Sequence, residues 1–484
     1  MRIGPLALGT PADWDPGDGS AVSWSPTAPS LAAAADAPVS DVPVSYMQAQ
    51  HLRGIRDQEA RGLDYSRLMI VACDAPGRCD VRAMTYVINA HLRRHDTYRS
   101  WFEHTGDGDI VRHRLDDPAD IEFTPTRHGR VTAQQARELV LATPDPSHWD
   151  CFRFGIVARA DGFTFYASID HVHVDAMIVG VTLTEFLLMY SSLVAGHQPV
   201  ALPPVAGYDE FCRRQRESTR ALTVDAPEVR RWRRFAEGNG GTLTTFPLPL
   251  GDPAVRHRSG IVTARMLDAE QTARFEAVCT SAGARFVGGV LASFGLAERA
   301  LTGTDVYYGL TPRDTRSTPA EWATQGWFTG LVPVTVPLTD SDARVDFAAA
   351  ARAAQVSFDE GAGLARIPYD RIRELHPTLT RARPNFPVVN FLDAGSPPLS
   401  ALLTADLGNL NVGIYSDGRY SYQMCIYVIR VHDETAVAVM YPDNPEAAES
   451  VARYLEVLQT VFGRAAGTAP GLGREPEVNR SSAG

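Results

Sequence analysis

Histidines and aspartates cluster in the stretch Ser168-Ile169-Asp170-His171-Val172-His173-Val174-Asp175, directly after an aromatic and β-branched run. As a turn leading into a helix, the stretch places His171 and Asp175 on one helical face, four residues apart. A carboxylate there can hold an imidazole in one tautomer while its other nitrogen takes a proton from a bound alcohol. As a continuing strand, it points His171, His173 and Asp175 to one side, as in a metal cluster, because strand side chains alternate. The residues leave both chemistries open, beside a plain helix-capping role.

The flanking residues favour base catalysis over metal binding. Metallo-β-lactamase-type hydrolases place a further His directly after the Asp of a His-x-His-x-Asp pattern, and this chain has Ala176 there. No second compact ligand cluster follows, since the other histidines are scattered. We therefore expect no bound metal. A metal-dependent hydrolase using His171, His173 and Asp175 is kept as the alternative.

Composition narrows the class of protein. The chain has 484 residues, enough for two domains of ordinary size, and its 44% hydrophobic residues can bury full cores. A net charge of −11 argues against nucleic acid as the main partner, because phosphate binding relies on clustered Lys and Arg. The arginines between residues 213 and 234 predict a solvated, salt-bridged helical face. Contact with an anionic donor such as coenzyme A is the alternative.

The sequence also favours a cytoplasmic protein. Residues 1–5 lack the charged start and apolar core of a signal peptide. The longest apolar segment, after Asp175, contains Thr182, Thr184 and Glu185, which predicts a buried helix and not a membrane span. Six cysteines show neither metal-type pairing nor a disulfide scaffold.

Periodicity predicts two lobes of mixed strands and helices. Residues 1–40 are predicted as an N-terminal extension with a short strand, and residues 466–484 as a disordered tail. The first lobe is predicted over 41–215 and the second over 216–465, with a Gly- and Pro-rich join between them.

Two features of the first lobe bear on the site. Residues 150–158 and 162–169 predict a β-hairpin that leads into the histidine stretch. Upstream, Arg94, His95 and Arg99 predict a buried hydrogen-bond hub that joins a helix to a strand, with ligand contact as the alternative.

Three motifs together resemble the superfamily of nonribosomal-peptide condensation domains and coenzyme A-dependent acyltransferases. In chain order they are Ser45-x-x-Gln48, Arg94-His95-x-x-x-Arg99-x-x-Phe102 and, after a strand, His171-x-x-x-Asp175. Within that superfamily, residues 90–98, 246–252 and 326–330 are similar to the polyketide-associated acyltransferases of actinobacterial envelope lipids, in the branch that acylates trehalose or sulfated trehalose. The resemblance covers residues 40–465.

The resemblance implies an α/β (α+β) fold of two chloramphenicol-acetyltransferase-like lobes with mixed sheets, arranged as a V. It places His171 in a tunnel at the lobe interface, as the general base of a direct acyl transfer. Asp175 would point away from the reacting atoms and form a structural ion pair, for which Arg313 is the predicted partner. The predicted substrate-binding residues are Arg313, Trp327, Thr329 and Asn390.

The same resemblance implies the reactants. The acyl chain would arrive on coenzyme A or on the phosphopantetheine of a polyketide-synthase carrier, without a further cofactor, and a trehalose-type sugar would accept it. We expect a monomer, with peripheral contact to the membrane or to a lipid exporter. A non-catalytic module for carrier docking or lipid binding is the remaining alternative.

Two departures from the superfamily pattern stand out. Many members carry a second His before the catalytic one and a Gly after the Asp, where this chain has Asp170 and Ala176. The Asp-Phe-Gly-Trp-Gly loop of the second half has no clear copy, and residues 411–415 are its nearest stand-in.

Overall fold

Two compact units make up the protein in its computed structural model. The structure describes residues 2–3, 6–106, 108–338, 347–383, 386–393, 410–419, 424–431 and 434–467. The described residues of the first unit lie within Met1–Arg220, Arg316–Phe328 and Ala401–Asp417. Those of the second lie within Ala221–Thr315, Thr329–Ser400 and Gly418–Gly484.

The first unit is built on a mixed sheet of eight strands in the order β1-β2-β14-β4-β9-β8-β3-β7. The strand β9 lies between two antiparallel neighbours and is buried along its whole length, which fits its aromatic and β-branched sequence. The bounds are β1 (Arg2–Ile3), β2 (Leu6–Gly9), β3 (Gly19–Pro26), β4 (Leu68–Pro76), β7 (Phe123–Val131), β8 (Phe152–Ala158), β9 (Gly162–Asp170) and β14 (Gly413–Ser416). A separate hairpin joins β5 (Ser100–His104) and β6 (Ile110–Arg114).

The helices of the first unit begin at well-formed caps. Ser45 and Gln48 form a capping box at the start of α2, and the Asp80 carboxylate caps α3. The bounds are α1 (Ala28–Ala35), α2 (Tyr46–Glu59), α3 (Val81–Arg94), α4 (Ala133–Leu141), α5 (Thr184–Val194), α6 (Tyr208–Arg220) and α10 (Pro319–Trp322). The apolar face of α3 supplies Met84, Val87, Ile88 and Leu92 to the core, as its helical spacing predicts.

The second unit has a four-stranded mixed sheet and a two-stranded one. The larger has the order β10-β16-β15-β13, and β11 pairs with β12 in the smaller. The strands are β10 (Ser259–Leu267), β11 (Val306–Asp314), β12 (Thr329–Pro337), β13 (Val388–Asp393), β15 (Cys425–Val431) and β16 (Glu434–Pro442). The helices are α7 (Pro227–Gly238), α8 (Ala269–Ser281), α9 (Phe286–Thr302), α11 (Phe347–Gly361), α12 (Tyr369–Leu375) and α13 (Pro445–Ala465).

The N-terminal region differs from the predicted loose extension. β3 lies between β8 and β7 in the large sheet, and the Trp24 side chain is completely buried. The sequence there is rich in Ala, Pro and Ser and carries little periodicity of its own. It is ordered because the sheet supplies the hydrogen bonds and apolar neighbours that a short segment lacks. The predicted tail lies outside the described residues from 468 onward.

The units also differ in outline from the predicted lobes. The chain passes from the first unit to the second after Arg220, but residues 316–328 return to the first unit, as does the segment that carries β14. Composition alone assigns these segments to the second lobe, because no local sequence feature marks the return of the chain to the first unit.

Among the described residues, no single helix is both long and apolar enough to cross a membrane. The consecutive helices α8 and α9 reach that threshold only as a pair, and the chain bends by 96° between them.

Candidate active site

The histidine stretch forms a loop between β9 and the following helical segment. The strand ends at Asp170, the His171 amide donates to the Arg67 carbonyl at 2.8 Å, and a five-residue π-helical turn at Val179–Leu183 precedes α5. The prediction that His171 and Asp175 share a helical face is therefore wrong. The reason is local, because the Asp170 and Asp175 carboxylates each accept a bond from a backbone amide two residues ahead, which competes with helix formation.

The His171 imidazole packs against the Trp327 indole. Their ring centroids are 3.9 Å apart at an interplanar angle of 32°. Burial, and after it the nearby His51 ring, lowers the pKa of His171 to about 4. Within the described part of the chain, the buried Nδ1 of His171 has no hydrogen-bond partner. The ring is thus a neutral imidazole at physiological pH, the form that can accept a proton.

Asp175 is committed to an ion pair. Arg316 donates from Nη1 to Oδ2 at 2.9 Å and from Nη2 to Oδ1 at 3.2 Å, and the Phe328 amide donates to Oδ2 at 2.9 Å. The predicted ion pair of Asp175 is present, but its predicted partner, Arg313, is wrong. Arg313 instead places its guanidinium over the Phe358 ring in the second unit. Arg313 lies near the end of β11 and Arg316 follows the strand three residues later, so sequence could not say which one turns inward.

The other predicted substrate-binding residues occupy different places. Trp327 lies beside His171, whereas Thr329 is the first residue of β12 in the second unit. Asn390 lies on β13, where its amide donates to the carbonyls of Val388 and Ile426 at 3.2 Å each. Contact of these residues with substrate stays a prediction, as do the V-shaped arrangement and the tunnel.

Sequence reasoning missed His51 and Arg67 near this loop, and it named Gln48 in a motif without placing it here. His51 and Arg67 both bond the Asp170 carboxylate, at 2.9 and 3.1 Å. Gln48 donates from Nε2 to the Val172 carbonyl at 2.9 Å, so the capping-box residue also holds the loop. The one available signal was Asp170 itself, a carboxylate in a buried position that requires partners.

The metal alternative finds no support in the loop geometry. His173 Nδ1 bonds the Thr97 hydroxyl at 3.1 Å, and its ring lies among the Tyr98, Phe102 and Phe152 rings. Burial lowers the pKa of His173 to about 3. Since Asp175 is paired with Arg316, the three predicted ligands do not converge.

The hub predicted around Arg94, His95 and Arg99 is confirmed for Arg94 and His95 only. It joins α3 to the helix α5 and not to a strand, while Arg99 Nε has no partner among the described residues. Glu185 accepts from His91 Nδ1 at 2.8 Å, from His95 Nε2 at 3.1 Å and from Arg94 Nε at 2.8 Å. The ligand atoms of His91, His95 and Glu185 lie close enough together to hold a metal ion. Each of these side chains is already hydrogen-bonded within the hub. The Gln325 backbone amide donates to His95 Nδ1, so His95 Nε2 carries the proton that is donated to Glu185.

Four of the eight arginines between residues 213 and 234 are ion-paired within the described part of the chain, which fits the predicted salt-bridged face in part. Arg213 pairs with Asp41 and Arg214 with Glu321 in the first unit. In the second unit, Arg231 pairs with Glu360 and Arg233 with Glu237. Contact of this segment with an anionic donor stays a prediction.

Comparison with known proteins identifies the family. The family model for the condensation domain matches residues 43–391. The chain belongs to the condensation domain family. Among curated relatives, acyltransferase PapA3 of Mycobacterium tuberculosis is 65% identical, covering 96% of this chain and 98% of that protein. The 2'-acyl-2-O-sulfo-trehalose (hydroxy)phthioceranyltransferase PapA1 of the same species is 54% identical, covering 98% of this chain and 92% of that protein.

Solved structures give the same result. The PapA2 acyl transferase superimposes with a TM-score of 0.90 at 51% identity, covering 95% of this chain and 99% of that one. The X-domain from teicoplanin biosynthesis superimposes with a TM-score of 0.67 at 20% identity, covering 88% and 96%, and shows the fold alone. The predicted fold class and the predicted acyltransferase activity are confirmed.

Proposed function

We propose that this acyltransferase moves a long-chain acyl group from an acyl thioester to a hydroxyl of trehalose, or of a sulfated or acylated trehalose, with His171 as the general base. The names of two relatives, the 2'-acyl-2-O-sulfo-trehalose (hydroxy)phthioceranyltransferase PapA1 and the trehalose-2-sulfate acyltransferase PapA2, support a trehalose-type acceptor. The observation that carries the catalytic role is the His171 ring. It is neutral, packed on Trp327, and free of the carboxylate that the motif places four residues away.

The reaction needs little beyond a positioned base. A sugar hydroxyl is a poor nucleophile until its proton begins to leave, while a thioester carbonyl is already reactive. His171 takes that proton as the oxygen attacks the carbonyl carbon. When the tetrahedral intermediate collapses, the C–S bond breaks and the imidazolium returns the proton to the leaving thiolate. The low pKa keeps the imidazole unprotonated before attack, at the cost of weaker basicity.

A direct transfer is favoured over a covalent acyl-enzyme. Ser293 is the nearest imitation of a nucleophile elbow in the sequence, with Leu291 where the first Gly should be. In the structure Ser293 lies inside α9, completely buried, and its hydroxyl donates to the Gly289 carbonyl at 2.9 Å. A hydroxyl committed in this way does not act as a nucleophile.

The proposal is tested by product formation. Purified wild-type protein is incubated with a long-chain acyl-CoA and with trehalose or trehalose-2-sulfate, and mass spectrometry measures the sugar ester. We expect ester from the wild type, and at least about 100-fold less from His171→Gln, since a general base contributes about 10²–10⁴-fold. The control His197→Gln changes an exposed histidine and keeps wild-type activity. Near-normal transfer by a folded His171→Gln protein would refute the base assignment.

Donor carrier, location and oligomeric state belong to the same proposal. The donor is acyl-CoA or an acyl chain on a polyketide-synthase carrier, and the protein acts as a cytoplasmic monomer at the membrane periphery. Parallel reactions with the acyl chain on coenzyme A and on a carrier domain separate the two donors. Sedimentation of the purified protein measures the oligomeric state.

A further inference from the structure

Asp170 stands where many superfamily members have a His, and it is completely buried. Its Oδ1 accepts from His51 Nε2 at 2.9 Å and from the Val172 amide at 3.0 Å, while its Oδ2 accepts from Arg67 Nη1 at 3.1 Å. Burial by itself raises the pKa of this carboxyl, but His51, Arg67 and the Val172 amide together outweigh burial and lower it. Asp170 is therefore an ionised carboxylate inside the protein.

Arg67 is held in place by more than Asp170. Its guanidinium also donates to the carbonyls of Thr143 and Pro144, at 2.6 and 2.8 Å. Its own carbonyl accepts the His171 amide, and its amide donates to Asp417. Arg67 is thus a fixed cation, and Asp170 lies between it and the more adaptable His51.

The His51 ring connects the Asp170 carboxylate to the rings of Trp327 and His171. It lies on α2, 5.5 Å from the Trp327 indole in an edge-to-face contact at 72°, and 6.0 Å from the His171 ring. Trp327 in turn packs on His171 at 3.9 Å. Two routes therefore lead from Asp170 to the His171 imidazole. One runs through the backbone at Val172, and the other through His51 and Trp327.

We propose that His51 and Asp170 form a pair of positioning residues that fixes the His171 imidazole and the Trp327 indole in the orientation used for acyl transfer. The inference rests on the proposed function of His171 and extends it to two residues outside the His-x-x-x-Asp motif. Asp170 orients the His51 ring through Nε2, and His51 holds the edge of the indole.

The pair also affects protonation of the base. The ionisable groups that face His171 are His51 on α2, and Asp170 and Asp175 on its own loop, with Asp175 neutralised by Arg316. His51 lowers the pKa of His171, whereas the two carboxylates raise it. Removal of the His51 imidazole therefore raises the pKa of His171 above about 4, while burial, the larger cause of the low pKa, remains.

The test is a double-mutant cycle on the full-length protein, with long-chain acyl-CoA and trehalose-2-sulfate as substrates. His51→Gln keeps a donor for Asp170 but removes the ring, and Asp170→Asn keeps the shape but removes the charge. We expect kcat to fall about 10- to 100-fold in each, with little change in KM, because small misplacement of a base has effects of that size. We expect the double variant to lose about as much as the worse single one, since the two residues act as a unit.

A matched control separates positioning from plain stability. His91→Gln also removes a buried histidine bonded to a carboxylate, Glu185, in the hub away from the Asp170 carboxylate. It should lower the melting temperature while leaving kcat per folded molecule and the pH profile unchanged. His51→Gln should move the acid limb of kcat/KM to higher pH.

Two results would overturn the proposal: wild-type kcat and pH profile in folded His51→Gln protein, or fully additive losses in the cycle. Both are interpreted once a separate His171→Gln variant has been shown to lose transfer, so that the proposed function of His171 is established first. Failure of the pair is thereby distinguished from failure of the proposed function.

Discussion

The Arg316 guanidinium lies against the Asp175 carboxylate with both side chains buried, Nη1 to Oδ2 at 2.9 Å. Arg316 further donates to the carbonyls of Glu321 and Thr324, so it ties the 316–328 segment to the histidine loop. That segment carries Trp327, the ring on which His171 packs. The Asp of the motif therefore holds the segment that shapes the surroundings of the His171 imidazole.

Breaking this pair should unfold the site. Asp175→Ala or Arg316→Met leaves an unpaired buried charge, which costs about 3–5 kcal/mol in the free energy of unfolding. Chemical denaturation measures the loss. Arg213→Ala, which breaks an exposed pair with Asp41, should change stability by less than about 1 kcal/mol. Joint replacement by Asp175→Leu and Arg316→Met should cost less than the sum of the single changes, and strict additivity would contradict this account.

Gly326 should tolerate no side chain. A Cβ there would lie 2.3 Å from Tyr208 Cδ2, and the Tyr208 hydroxyl bonds the Trp327 carbonyl at 3.2 Å. Gly326→Ala should therefore displace Trp327 and lower both the melting temperature and activity. Gly363→Ala is the matched change, because a Cβ at that exposed position meets no atom within 4 Å among those described. Equal effects of the two substitutions would contradict the steric argument.

Trp327 should matter for rate more than for folding. Trp327→Ala removes the ring packed on His171 and should reduce kcat/KM at least about tenfold, whereas Trp327→Phe should retain more activity because an aromatic face remains. The exposed Trp322 in the same segment provides the comparison, and Trp322→Ala should leave activity unchanged. Steady-state kinetics with normalised folded protein measures all three variants.

The pH dependence of activity follows from the lowered pKa of His171. Since the base must be unprotonated and its pKa is about 4, kcat/KM should be flat from about pH 6 upward to neutrality and fall only as pH drops towards 4. The measurement is kcat/KM across that range on protein shown to be folded at each pH. An acid limb near pH 6.5 would show that the ring is solvated in solution.

Stability should decline in the same acidic range for a different reason. Burial lowers the pKa of His173 to about 3, below the value of about 6.5 for an unfolded chain. Between these values the unfolded state binds the extra proton, so the free energy of unfolding falls as pH drops below about 6.5, by about 2 kcal/mol per such histidine between pH 7 and 5. Thermal denaturation of His173→Gln should show a weaker pH dependence than the wild type. Exposed His148→Gln should leave it unaltered.

Local sequence was sufficient for several features of the fold and site. The aromatic and β-branched run before Asp170 predicts the strand β9, and the apolar spacing of residues 84–92 predicts the buried face of α3. The helical character of residues 49–62 predicts α2, which begins three residues earlier, at Tyr46. These depend on interactions within a few residues. The histidine and aspartate of the motif likewise stand out by type and spacing alone.

The partners of those residues were decided by tertiary structure. Sequence could not select Arg316 over Arg313 for Asp175, or bring His51 to Asp170 across 119 positions, because such contacts depend on how strands and segments pack. The same holds for β3, whose order comes from its neighbours in the sheet and not from its own residues. The sequence by itself therefore determined which groups can do the chemistry. Only the folded chain decided which of them are buried, ionised and held together, since burial and charge pairing arise between residues far apart along the chain.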